Sequence, residues 1–147
     1  LDNRIQYSDV TDHAHTGDTN KTLLATYTIP AGILEASTRG LRVVAGGDNT
    51  GANGIKTVYV EIGGYSVGTY ATTGNDELAW KVDVDLYTTP TKYRAVSSCA
   101  MEAGSKGATY YELATFDTAI TQTINIYGKV ANSADTVTLR YFTVELK

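Results

Sequence analysis

The chain is 147 residues long, sets 16 Asp plus Glu against 12 Lys plus Arg, and carries a formal charge of -4. That length suits one domain with its own core, and the mild acidity argues against a nucleic-acid partner, which needs a basic face to meet phosphates. No apolar run reaches the roughly 18 residues of a membrane-spanning helix, no secretory signal opens the chain, and the single Cys99 excludes an internal disulfide and a cysteine zinc site.

Tyr (11), Thr, Val and Gly (14) are abundant, and helix formers never gather into a long amphipathic stretch. This is the composition of pleated strands joined by tight turns. The single cysteine leads us to expect a chain made in a reducing cytoplasm. Residues 1–19 are polar and unpatterned apart from a short extended candidate at Arg4–Tyr7. They read as an extended arm, ordered only when a partner holds it, and residues 20–147 read as the sandwich domain. "TLLATYTIP" places Leu23, Ala25, Tyr27 and Ile29 on one face, and Pro30-Ala31-Gly32 ends that strand. "LRVVA" (41–45) precedes a glycine-rich surface loop, "GGDNTGANG" (46–54). "IKTVYVEIGG" and "YSVGTYATT" form a hairpin around Gly63-Gly64.

The clearest alternation is "LAWKVDVDLYT". Leu78, Trp80, Val82, Val84 and Leu86 point one way, and Lys81, Asp83 and Asp85 point the other. Strands at 92–102 and 108–116 flank the turn "AGSKG", and "AITQTINIYGKV" buries Ile120, Ile124, Ile126 and Val130. In the last strand the apolar positions shift from odd (Val137, Leu139, Tyr141) to even (Phe142, Val144, Leu146), which predicts a bulge near Arg140. About nine strands without a helix predict an all-β fold, two antiparallel sheets packed as a β-sandwich. The uneven connections favour a jelly-roll-like course.

Few residues offer chemistry. His13 and His15 in "TDHAHTGD" stand at i and i+2 on an extended segment, so both can face one metal, with Asp12 and Asp18 as oxygen donors. Without a third histidine or a nearby cysteine, the reading adopted is a polar segment bonded to backbone or to a neighbouring subunit. Three copies around an oligomer axis would be needed to complete a metal site. No G-x-S-x-G elbow is present, Asp83 and Asp85 lie on a regular polar face, and "GGDNTGANG" lacks the lysine and helix of a phosphate loop. Cys99 is in phase with Tyr93, Ala95 and Met101, as a small packed residue would be. The triplet Asn20-Lys21-Thr22 matches a glycosylation acceptor only by chance frequency. No catalytic residue and no cofactor are expected. Tyr65, Tyr70, Tyr87, Tyr110, Tyr111 and Tyr127 are expected at strand ends or on outer faces, where tyrosine serves subunit interfaces more often than sugar stacking.

Two stretches resemble small β-rich structural proteins of tailed bacteriophages. "HTGDTNKTLLATYTIPAG" (15–32) is similar to a recurring H-T-G-x-T-x-x-T-x-L-A-T-x-T-I-P-A-G segment, with Gly17 permitting the sharp entry into the first core strand. "DTAITQTINIYGKVANSADTVTLRYFTVELK" (117–147) is similar to the usual end of the same proteins; Tyr127 and Lys129 depart from the smaller, less charged residues expected there. The resemblance covers about a third of the chain and implies a virion protein with a jelly-roll-like sandwich and no enzymatic role. His13 lies outside the match.

A capsid decoration protein of the cement or head-spike type ranks first. It would be a homotrimer bound to the major capsid protein on the capsid surface, without nucleic-acid or membrane partners, and assembled in the host cytoplasm. No stalk sequence is present, although the opening at Leu1 leaves room for one. A receptor- or carbohydrate-binding tip of a tail or head fibre ranks second, and a stand-alone sugar-binding module third.

Overall fold

Strict alternation along most of the chain produces strands, and the apolar faces of those strands meet in one core. The computed structural model describes residues 5–34, 39–51, 54–72, 78–88, 92–101 and 106–147; the side chains of residues 5, 78 and 106 are excluded, and most of the expected "AGSKG" turn lies outside. Eleven strands occupy the described residues: β1 (Ile5–Asp9), β2 (His13–His15), β3 (Thr22–Ile29), β4 (Leu41–Thr50), β5 (Lys56–Ile62), β6 (Tyr65–Ala71), β7 (Leu78–Thr88), β8 (Tyr93–Met101), β9 (Lys106–Leu113), β10 (Gln122–Val130) and β11 (Thr136–Leu146). No helix occurs among them.

The larger sheet runs β1-β11-β4-β7-β8-β9, with β2 also on β11, and the smaller runs β3-β10-β5-β6; every pairing is antiparallel. From β2 to β5 the chain changes sheet at every step. After the β5–β6 hairpin it changes again into β7, then into β10, then into β11. This is the jelly-roll course, with β8 and β9 added as an extra hairpin on the larger sheet and β1 as an extra edge strand. The hairpin turns through Gly63 and Gly64, both at positive φ (58° and 80°), which a side chain would strain.

The core confirms the period-2 reading of β7, since Trp80, Val82, Val84 and Leu86 are all buried. Ile124, Ile126 and Val130 of β10 and Cys99 of β8 are buried as expected. The phase change in β11 is the bulge expected near Arg140: Leu139 pairs with Gly47 and Tyr141 with Gly46, leaving Arg140 unmatched.

Several expectations are corrected. Residues 5–9 and 13–15, read as part of a free arm, are strands on β11, because β11 offers an unpaired edge and Tyr7 packs on Tyr27 and Phe142 (ring centroids 5.2 and 5.3 Å). In β3 a bulge at Leu24 buries Leu24 and Ala25 and turns Leu23 outwards, 48% exposed. Residues 46–50, read as a loop, continue β4 between β11 and β7. Ile120 precedes β10 and is exposed. Tyr70 is buried, its hydroxyl bonded to that of Ser97 across the two sheets.

One end of the sandwich interior is polar. Lys56 of β5 and Asp135, just before β11, are both fully buried, with Nζ 3.6 Å from Oδ2, and Nζ also donates to the Gly51 carbonyl. Two sheets thus share one ion pair across the core.

Candidate binding groove

The bulge in β11 determines the outer face of the larger sheet. An extra residue in one strand sets two consecutive side chains on one side, and here they are Arg140 and Tyr141. Tyr141 pairs with Gly46 of β4, Leu139 pairs with the adjacent Gly47, and Arg140 between them has no partner there. A Cβ at Gly46 would stand 2.3 Å from the Tyr141 hydroxyl, so the tyrosine ring lies over the bare backbone there. Burial against the sheet raises the Tyr141 pKa, with the nearby Asp83 charge adding to it.

Beside Tyr141 lies a groove of about 460 Å³. Gly47, Ala79 and Ala100, small residues from the neighbouring strands β4, β7 and β8, line it, together with the register partners Trp80 and Met101. Asp48, Lys81, Arg140 and Tyr141 give it polar groups. Arg140 meets Asp48 through two parallel bonds, Nε to Oδ2 at 2.8 Å and Nη2 to Oδ1 at 3.1 Å, while Nη1 donates to Asp12 at 2.6 Å. Such a fork holds both planes still. The Asp48 and Asp12 charges raise the Arg140 pKa, the Asp48 hydrogen bond contributing most.

The rest of this face is ion-paired. Arg42 makes the same fork to Asp83 (3.1 and 2.6 Å), which holds the Asp83 carboxyl below its ordinary range, and Lys147 bonds Asp85. Arg94 lies 4.0 Å from Glu112. Lys81 is exposed and makes no ion pair among the described residues.

The structure does not bring the two histidines to a common point. His13 Nε2 lies 2.7 Å from Asp9 Oδ2, whereas His15, buried, places Nε2 3.1 Å from the Asp18 carbonyl. Asp12 is drawn away to Arg140. Among the described residues no group of three or more His, Cys, Asp and Glu is placed to hold a metal ion. Of the tyrosines expected outside, Tyr87 and Tyr110 are exposed, Tyr65 bonds Thr115, and Tyr127 lies under the Lys21 ammonium, 4.5 Å from its ring centre. That cation, shared with Tyr59 at 4.6 Å, explains a large aromatic at position 127. Sequence reasoning placed Tyr141 on the core face and missed the groove. The phase change at Arg140 opposite Gly46-Gly47 was the signal available.

No protein-family description and no curated sequence matches this chain. Solved structures are similar in fold. Peanut lectin, solved with a nine-residue peptide, is 10% identical over 96% of both chains with a TM-score of 0.48. The CBM36-1 domain of a multidomain xylanase from the hindgut metagenome of Trinervitermes trinervoides is 16% identical over 95% of this chain and 85% of that one, with a TM-score of 0.38. A structure of infectious bursal disease virus, Gt strain, is 15% identical over 99% of this chain and 42% of that one, with a TM-score of 0.31. All three have TM-scores below 0.5.

Proposed function

We propose that this chain is a non-enzymatic structural protein of a bacteriophage virion, a capsid decoration protein that docks on the capsid exterior as a homotrimer. The observation that carries the reading is where the two phage-like segments lie. Residues 15–32 contain the end of β2 and all of β3; residues 117–147 contain β10 and β11. β2 pairs with β11, and β3 pairs with β10. The two segments, far apart in sequence, therefore make one contiguous block of both sheets, as a common scaffold would. The stretch that resembles nothing, β4 to β9, fills the other half of each sheet and carries most of the groove.

The ionisable side chains support a role without catalysis. Cys99 is buried, and Asp48, Asp83 and Asp85 of the outer face are engaged by arginine or lysine. Cryo-electron microscopy of phage particles purified from cells that produce this chain tests the reading. Density for the sandwich on the capsid lattice is the expected result. Density only at the ends of head or tail fibres would replace decoration by the fibre-tip alternative, and absence from particles would remove both.

A further inference from the structure

We infer that the groove on the outer face of the larger sheet binds an acidic oligosaccharide. In this site the Tyr141 ring supports a sugar ring, the Asp48–Arg140 fork takes its hydroxyls, and the Lys81 ammonium takes its carboxylate. The inference is independent of where the protein sits on a particle.

The volume, about 460 Å³, falls within the range of ligand sites. A sugar presents an apolar C–H face and a rim of paired hydroxyls, so its receptor needs an apolar plate next to fixed donors and acceptors. Tyr141, half-buried over Gly46, supplies the plate and a hydroxyl at its edge. Each nitrogen of Arg140 is used once by Asp48 or Asp12, which leaves an N–H spare on both terminal nitrogens; the Asp48 oxygens keep lone pairs. This polar pair is already ordered, so a ligand does not bear that entropy. Ala79 and Ala100 are exposed and small, and no long side chain from them fills the groove.

Charge selects the class of sugar. The other cations described on this face have carboxylate partners, and among the described residues Lys81 makes no ion pair. A ligand carboxylate completes that pattern. A phosphate polymer, charged at every unit, fits worse, because the described lining offers the single unengaged cation Lys81 beside the Asp48 carboxylate.

The test is binding of the whole protein to an array of uronic- and sialic-acid oligosaccharides, each beside its carboxyl-reduced counterpart, followed by calorimetry on the best binder. Retention of acidic members is expected, with the reduced forms weaker by about tenfold and the preference fading at high salt. Lys81→Gln should erase that preference while leaving the residual neutral binding. Tyr141→Ala should weaken both forms by about tenfold or more. Ala100→Glu, at an exposed floor position that leaves the core intact, should block the groove in a protein of wild-type melting temperature. No retention of any acidic member overturns the inference. Binding indifferent to both Ala100→Glu and Tyr141→Ala overturns the site, and a preference that survives Lys81→Gln overturns the role of its charge.

Discussion

Asp9 ends β1 with its carboxylate committed to three groups: the Thr11 N–H at 2.8 Å, the His13 ring at 2.7 Å and the Tyr7 hydroxyl at 3.3 Å. The backbone bond, then the histidine, lowers its pKa from 3.8 to about 2. A folded pKa below the unfolded one gives stability that is complete above the unfolded value and is lost as pH falls through the folded one. The β1 amides should therefore lose hydrogen-exchange protection between pH 4 and pH 2, ahead of the β7 amides, and Asp9→Asn should remove that pH step. Inside the core, Lys56 and Asp135 face each other with both side chains fully buried. Asp135→Ala removes the carboxylate from beside the buried Lys56 ammonium and should cost about 3–5 kcal/mol in a urea melt, whereas Lys56→Met combined with Asp135→Leu should restore most of the loss. A double variant as unstable as the single one would show that the end of the sandwich depends on the charges themselves. Trp80→Ala should cost about 3–5 kcal/mol, since the indole is 3% exposed in the centre of β7; wild-type stability would contradict its place in the core.

At the scale of elements, β11 organises the molecule. Its first half pairs with β2 and its second half with β1, and along both it pairs with β4 on the other side. The bulge between the halves lets Val137 and Leu139 face the core together with Phe142 and Val144, while Arg140 bridges Asp48 of β4 to Asp12 of the β1–β2 connection. Removing residues 1–14 therefore does more than free a tail. It uncovers the β11 edge and the rings of Tyr27 and Phe142, which Tyr7 covers. The truncated protein should melt several degrees lower and self-associate by light scattering. A truncated protein with unchanged melting would make these strands dispensable to the sandwich.

Across the whole molecule, the outermost strands among the described residues are β1 and β2, side by side on β11, and β9 in the larger sheet, and β3 and β6 in the smaller. Gly107, Ala108, Thr109 and Tyr110 of β9 are all exposed, and Arg94 lies over Tyr110, 5.5 Å from its ring centre. Edges of this kind are safer when a neighbour covers them, which is the physical ground for the proposed trimer. Multi-angle light scattering at micromolar concentration should return three chains; a clean monomer at that concentration counts against the assembly. Chelation should leave the melting temperature unchanged, because the two histidine rings bond different acceptors. A large drop on adding EDTA, reproduced by His13→Ala, would reverse that reading.

Period-2 alternation depends only on the pleat of a single strand, so the sequence by itself determined the facing of Trp80, Val82, Val84 and Leu86, the stop at Pro30, the turn at Gly63-Gly64 and the phase change at Arg140. The jelly-roll class followed from strand count and uneven connections. Other outcomes depend on what a strand meets. Tyr70 turns inwards because Ser97 of the opposite sheet accepts or donates to its hydroxyl, and Lys56 can be buried because Asp135 faces it. Leu23 lies outside because β3 bulges at Leu24 to keep register with β10. Gly46 to Thr50 form strand because β11 and β7 supply hydrogen-bond partners on both sides that a local reading does not contain. The groove belongs to this second class: it exists where a bulge in one strand, glycines in the next and alanines in two more come into register, and only the folded sheet brings those four strands together.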